Sequence, residues 1–227
     1  DRAMQFQAGQ YINLELPGIE GSRAFSLANP PSRPDEVELH VRLVEGGGAT
    51  GYIHQQLKVG DQLSLSGPYG MFFVRNSQQG DLIFIAGGSG LSSPQSMILD
   101  LLEQGDSRQI TLFQGARNRS ELYNAELFEQ LAASHANFTY VPALSQAADD
   151  SEWQGFRGYV HDAAKAHFDG RFAGHKDYLC GPPPMIDAAI TALMQGRLFE
   201  RDIFMERFYT AADGAEGTQR SALFKRI

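Results

Sequence analysis

The hydrophobic pattern of this chain changes period near residue 80, and that change divides what its two halves can fold into. Upstream, Ile12, Leu14 and Leu16 alternate with Asn13 and Glu15, and Val37, Leu39, Val41 and Leu43 alternate with Glu38, His40 and Arg42. Leu63 and Leu65 sit between serines. Period two puts successive side chains on opposite faces of a half-buried antiparallel strand. Turn-rich stretches at 17–21, 29–35, 45–48 and 59–61 separate these runs, so the front half predicts a sandwich or small antiparallel β-barrel. A short helix is predicted over residues 51–57.

Downstream, residues 82–86 form an unbroken apolar run, as in a parallel strand covered on both faces. A glycine-rich turn follows, then a helix over 94–104 with Met97, Ile98, Leu101 and Leu102 at helical spacing, Ser93 as its N-cap and Gly105 as its stop. Strands over 110–113, 138–143, 177–180 and 203–208 alternate with helices over 125–134, 162–167 and 184–195; residues 145–158 read as a polar loop. Alternating βα units imply a doubly wound parallel sheet. The expected fold class is therefore two domains, an antiparallel β-barrel followed by an α/β doubly wound parallel sheet, with the boundary in the polar stretch 75–80.

Composition removes several alternatives. The net charge of −8, from 19 Lys and Arg against 27 Asp and Glu, argues against a nucleic-acid partner, which usually meets a basic face. A single cysteine excludes an internal disulfide, a Cys-rich zinc site and a Cys-ligated iron–sulfur cluster within this chain. The six histidines are scattered without ligand spacing, so no metal site is expected. No apolar run approaches the roughly 20 residues that span a bilayer, and no signal peptide opens the sequence. A cytoplasmic protein without a membrane partner is expected.

Five short motifs carry candidate chemistry. Arg23-Ala24-Phe25-Ser26 offers a guanidinium for a pyrophosphate, a ring to stack on a flat cofactor and a hydroxyl for a ring nitrogen, as a flavin nucleotide requires; an ordinary strand with one buried Phe reads the same. Gly46 to Gly51, with Thr50, opens the short helix and presents backbone N–H groups to phosphate oxygens; a hairpin loop that merely caps a helix accounts for it equally well. Gly87-Gly88-Ser89-Gly90 lies between a buried strand and a helix, where a dinucleotide pyrophosphate approaches the backbone, although Ser93 stands where a third fingerprint glycine belongs. Cys180-Gly181-Pro182-Pro183-Pro184-Met185 closes another strand at its carboxyl end, with the cysteine expected to point into the crevice. Glu206-Arg207-Phe208 ends the last strand, and its carboxylate and aromatic could border a nicotinamide or flavin ring.

The order of these motifs, Arg-x-aromatic-Ser followed by Cys-Gly-Pro-Pro, resembles the ferredoxin–NAD(P)H reductase superfamily over essentially the whole chain. Within it, the resemblance is to the reductase components of multicomponent phenol hydroxylases and related bacterial oxygenases. That resemblance implies an FAD-binding barrel over 1–76, an NAD(P)H-binding α/β domain over 81–208 and a carboxyl-terminal tail over 209–227. It implies a hydride passing from NADH, with NADPH as the alternative, to FAD, and single electrons passing on to an iron–sulfur cluster. By position it assigns Arg23 to the FAD phosphates, Phe25 to stacking on the isoalloxazine and Ser26 to the vicinity of flavin N5. His40, Val41, Arg42, Leu43 and Val44 would form a strand lining that cofactor, Gly48, Ala49 and Thr50 would hold its pyrophosphate, and Phe208 would lie near the flavin. Gly67 to Gly70 would be the turn before the last barrel strand. Gly87, Gly88, Ser89 and Gly90 would hold the NAD(P)H pyrophosphate, Cys180, Gly181 and Pro182 would place the nicotinamide, and Arg117, with Arg119 nearby, could attract a 2′-phosphate. Ser26, Cys180 and Glu206 are the expected catalytic residues. Phe25 departs from the family's more frequent Tyr, which keeps the stacking ring and loses the phenol hydroxyl. The first barrel strand and the ferredoxin domain with its 2Fe-2S cluster are expected to lie outside this chain, leaving the barrel an open edge. The implied partners are that ferredoxin domain and an oxygenase or hydroxylase component. A reductase for a ring-hydroxylating dioxygenase or another oxygenase, and a truncated, non-catalytic nucleotide-binding subunit, are the competing readings.

Overall fold

A computed structural model describes residues 3–75, 79–147 and 150–209. The chain divides into two compact units, one of residues 1–75 with 92–104 and the other of residues 76–91 with 105–227.

In the first unit, β1 (Tyr11–Glu15) lies between β2 (Ser22–Ser26) and β3 (Ser64–Tyr69) in a three-stranded antiparallel sheet. Ile12 stands opposite Phe25, and Leu14 opposite both Arg23 and Leu65. The alternation read from the sequence is real here: Ile12, Leu14 and Leu16 are buried with Leu27 and Ala49, and Phe25, Leu39, Tyr52 and Leu63 pack against them. The predicted strand through residues 37–44 does not form. It contributes only an isolated bridge, Leu27 to Leu39. Asn29, fully buried, holds the start of this segment and the turn before it: its Oδ1 accepts the Glu38 N–H at 3.0 Å and its Nδ2 donates to the carbonyls of Arg33 and Glu36. A side-chain amide thus takes one backbone N–H that a ladder could have used. Residues Gly67 to Gly70 are likewise not the turn before a last strand. Tyr69 pairs with Tyr11, so β3 runs through that motif, and no strand follows it among described residues 70–75.

Helix α1 (Gly48–Gln55) starts earlier than the sequence suggested, with Gly47 at its N-cap and Leu57 outside it. The Thr50 hydroxyl accepts the Val44 N–H at 3.1 Å and folds the glycine loop back on itself. Helix α2 (Ser92–Glu103) also starts early, preceded by a 3-10 turn over Gly88–Leu91. Ser93 therefore sits inside the first turn rather than capping it, whereas Gly105, at φ +69°, follows the helix end as expected. Ser96 Oγ donates to the Asn29 carbonyl at 2.7 Å, and Gln95 Nε2 donates to Glu38 Oε1 at 2.9 Å.

The second unit is a six-stranded, all-parallel sheet in the order β7-β6-β5-β4-β8-β9. Its strands are β4 (Leu82–Gly87), β5 (Ile110–Ala116), β6 (Phe138–Leu144), β7 (Phe156–Arg157), β8 (Lys176–Gly181) and β9 (Ile203–Arg207). Helices α3 (Ala125–Ser134), α4 (Val160–His167) and α5 (Pro183–Gln195) complete the unit. One face carries Ile83, Ile85, Phe113 and Leu179 into a core with Ile186, Ile190 and Leu193 of α5. On the other face the rings of Phe84, Tyr178 and Phe204 stack in file, with centroids 5.3 and 4.9 Å apart. The expected loop over 145–158 contains one correction: Phe156 and Arg157 pair with Ala143 and Leu144 as a sixth strand. Two Arg157 guanidinium bonds to the carbonyls of Asp150 and Trp153, at 2.6 and 2.7 Å, hold that loop against the strand. The tail residues 210–227 lie outside the described residues.

Candidate functional site

The order of the parallel sheet fixes where a ligand sits. The chain lays down β4, steps outward through β5, β6 and β7, then returns to the other side of β4 for β8 and β9. Connections leaving β4 and β8 diverge in opposite directions, and a crevice opens at the carboxyl ends of such a pair. Two of the glycine-containing turns singled out in the sequence, Gly87–Gly90 and Cys180–Pro182, are located there.

They touch backbone to backbone. A Cβ on Gly90 would lie 2.5 Å from the Cys180 carbonyl oxygen and from Gly181 Cα, and one on Gly87 would lie 2.6 Å from Met185 Sδ. Gly181, at φ +148°, faces Gly87 O at 2.9 Å by the same measure. These three glycines therefore serve close packing. Gly88 differs: its φ is +57°, a Cβ there meets nothing within 4 Å, and the residue is partly exposed beside Ser89. Of the four residues expected to hold a pyrophosphate, Gly88 and Ser89 offer room. Pro182 occupies the N-cap of α5 and Pro183 its first position, so this turn has few N–H groups to offer a ligand.

Cys180 and Glu206 stand opposite each other in the β8–β9 register. The thiol is fully buried, with Sγ 3.9 Å from Glu206 Oε2, so it is directed at that carboxylate rather than into open solvent. The Phe208 N–H donates to the Gly181 carbonyl at 2.9 Å and ties the Glu-Arg-Phe end to the Cys-Gly-Pro turn. Four sequence-predicted site residues, Cys180, Gly181, Glu206 and Phe208, are thus brought together.

The expected 2′-phosphate attractors are already matched. Arg117 Nε donates to both carboxylate oxygens of Glu121 at 2.8 and 3.0 Å, and Arg119 pairs with Glu152 at 3.0 Å and Asp150 at 3.5 Å. The carboxylates hold both guanidinium pKa values above the ordinary arginine range.

In the first unit, Arg23 is exposed, and its Nη1 donates to the carbonyls of Glu20 and Ser22 at 3.1 and 3.0 Å, leaving the rest of the fork at the surface. That suits a phosphate. Phe25 is half-buried against the core and Ser26 is buried. His40 contacts Glu38 Oε1 at 3.2 Å, yet burial outweighs that carboxylate and lowers the imidazole pKa. The Val41 carbonyl accepts from His54 Nε2 at 2.8 Å, Val44 is held by Thr50, and Arg42 and Leu43 are exposed. Around the α1 start, Ala49 is buried, Gly48 is exposed, and Cβ atoms on Gly46 or Gly51 would meet nothing within 4 Å, which leaves room for a ligand at that turn.

Sequence reading missed Gln114, Tyr123 and Tyr140, whose hydrogen bonds reach the Gly88 turn, and Asp177, a fully buried acid. A glutamine at the end of the apolar run 110–113 was the available signal for the first. Among the described residues no helix is long and apolar enough to cross a membrane, and no cluster of His, Cys, Asp and Glu is arranged to hold a metal ion.

This geometry has a family. Residues 1–74 match the oxidoreductase FAD-binding domain, and residues 84–191 match the oxidoreductase NAD-binding domain. The chain belongs to the ferredoxin-reductase class of oxidoreductases, in which these two domains follow one another. It is 83% identical over all 227 residues to the phenol 2-monooxygenase reductase component DmpP of Pseudomonas sp. (strain CF600), and 65% identical to the phenol hydroxylase P5 protein of Acinetobacter pittii (strain PHEA-2). It spans 64% of the length of each of these relatives. Its fold superposes on the ferredoxin reductase in carbazole 1,9a-dioxygenase with a TM-score of 0.80 at 27% identity, covering 92% of this chain and 62% of that one.

Proposed function

We propose that this chain is the flavin- and nicotinamide-binding part of an NADH-dependent reductase that feeds single electrons to an aromatic-ring monooxygenase of the phenol hydroxylase type. The observation that carries this reading is the convergence of Gly87–Gly90 with Cys180–Pro182 at the switch point of a sheet whose whole chain is 83% identical to a phenol 2-monooxygenase reductase component. On this reading residues 1–76 bind FAD, residues 81–208 bind NADH, and residues 209–227 form a tail. When bound, NADH would supply a hydride, and FAD would be the chemistry that converts this pair of electrons to single ones for a 2Fe-2S cluster in a ferredoxin domain outside this chain.

The chain's own residues bind and orient. Arg23 and the first turn of α1 at Gly48, Ala49 and Thr50 hold the FAD phosphates, and Phe25, Ser26 and the extended segment His40 to Val44 border the flavin. Gly88 and Ser89 take the pyrophosphate of the nicotinamide cofactor, while Gly87, Gly90 and Gly181 keep the two turns in contact. Cys180 and Glu206, joined through Sγ and Oε2, border the nicotinamide with Pro182, and Phe208 lies by the flavin. The loop after β5 favours NADH over NADPH, because Arg117 and Arg119 are already paired with carboxylates. Cytoplasmic location follows from the same reading.

The test combines the chain in its parent reductase with a phenol hydroxylase oxygenase component. Phenol hydroxylation that requires both proteins and NADH supports the proposal. NADH oxidation with no transfer to that oxygenase, or equal transfer to an unrelated dioxygenase, overturns its acceptor half.

A further inference from the structure

A partly buried chain of hydrogen bonds, with Gln114 at its centre, ends on the Gly88 turn. Tyr140 of β6 donates to Gln114 Oε1 at 2.5 Å, Gln114 Nε2 donates to the Tyr123 carbonyl at 3.0 Å, and the Tyr123 hydroxyl donates to the Gly88 carbonyl at 3.0 Å. Gln114 is only 2% exposed. The direction of every bond is forced. The Tyr123 carbonyl only accepts, so the Gln114 amide nitrogen must face it, its oxygen must face Tyr140, and Tyr140 must donate. Burial raises the Tyr140 phenol pKa, so it remains a donor at any physiological pH.

The Gly88 carbonyl is a consequential place for such a chain to end. Gly88 has a positive φ, in the left-handed region that glycine enters without strain, and open space beside it, so the packing contacts that fix Gly87 and Gly90 are absent here. A carbonyl turned toward a pyrophosphate sets like partial charges together. In a planar trans peptide, a carbonyl held on one side directs the following N–H to the other. Tyr123 holds that carbonyl.

We propose that Tyr123 is a positioning residue for the nicotinamide cofactor, buttressed by Gln114 and Tyr140, which fixes the Gly88–Ser89 peptide with its carbonyl turned away from the cofactor's pyrophosphate. This rests on the assignment of Gly87–Gly90 as the pyrophosphate seat. Tyr123 touches neither substrate nor reacting atoms and acts only through the turn.

The test measures ADP-ribose and NAD+ binding to the flavin-loaded chain by calorimetry, alongside the melting temperature. Loss of one hydrogen bond in Tyr123→Phe is expected to weaken ADP-ribose binding about threefold to tenfold, with steady-state NADH kinetics changing in KM. Tyr140→Phe is expected to give a smaller loss, and the double variant less than the product of the two, because Tyr140 acts through Tyr123. A merely structural role lowers the melting temperature and leaves the dissociation constants alone. Unchanged ADP-ribose binding in Tyr123→Phe, or in Tyr140→Phe should the first variant not fold, overturns the inference and leaves the site assignment standing. A parent chain that fails to bind ADP-ribose overturns that assignment and the inference with it.

Discussion

Asp177 is fully buried in β8, flanked across the sheet by Ile83 and Ile203, and neither of its carboxyl oxygens has a hydrogen-bond partner among the described residues. Desolvation drives its pKa well above the usual carboxylate range, so the folded protein keeps it protonated where the unfolded chain does not. Stability changes with pH in proportion to the protons bound by the unfolded state minus those bound by the folded one. Here that difference is negative, so stability is lost as pH rises, by about 1.4 kcal/mol per pH unit from near the unfolded value of about 3.9 until the folded carboxyl ionises. Asp177→Asn keeps the shape and removes the titration. Its advantage over the parent should be small near pH 4 and widen at that slope as pH rises. Asp177→Val also removes the unpartnered polar atoms and should add roughly 1–3 kcal/mol at every pH. Thermal unfolding from pH 4 to 8 reads both effects, each kcal/mol moving the melting temperature by about 2–4 °C in a chain of this size. Parallel pH profiles for the parent and Asp177→Asn would refute the reasoning, because they would mean that the carboxyl finds a partner or water that stabilises its charge.

Three further outcomes follow from the switch-point geometry. Gly90→Ala places a methyl 2.5 Å from backbone atoms of Cys180 and Gly181, so it should cost about 1–3 kcal/mol in thermal unfolding and weaken NADH binding; a neutral variant would show that the turns are not locked together. Cys180→Ala should slow single-turnover flavin reduction by NADH while leaving flavin content intact, and an unchanged reduction rate would remove Cys180 from the site. Glu121→Gln unpairs Arg117 and should raise NADPH use relative to NADH severalfold in steady-state assays; an unchanged ratio would place cofactor discrimination elsewhere.

The legible parts of this fold were those set by local pattern. The five strands expected after residue 80 all form, because residues such as 82–86 and 110–113 are buried on both faces and strongly apolar. The segment 37–44 alternates just as clearly, yet its Glu38 N–H goes to the Asn29 side chain and the segment adds only a single bridge, an outcome that periodicity does not register. Likewise β7 is two residues held by long-range pairing and by Arg157, beneath what periodicity can register. In the site, Gly87, Gly90 and Cys180 were found by motif, but their mutual contact was not, since it depends on strands β4 and β8 being adjacent across the return of the chain. The pairing of Arg119 with Glu152 and the path from Tyr140 to Gly88 are tertiary in the same sense. Spacing reveals which residues can do chemistry; sheet order decides which of them meet.

The central claim is that this chain holds FAD in the first unit and receives reducing equivalents from NADH bound at the β4–β8 switch point. An absorption spectrum of the purified chain, followed through an anaerobic NADH titration, tests it most directly. The account predicts a flavin spectrum that bleaches as NADH is added. A chain that stays colourless after incubation with FAD, or a bound flavin that NADH leaves oxidised, would contradict it.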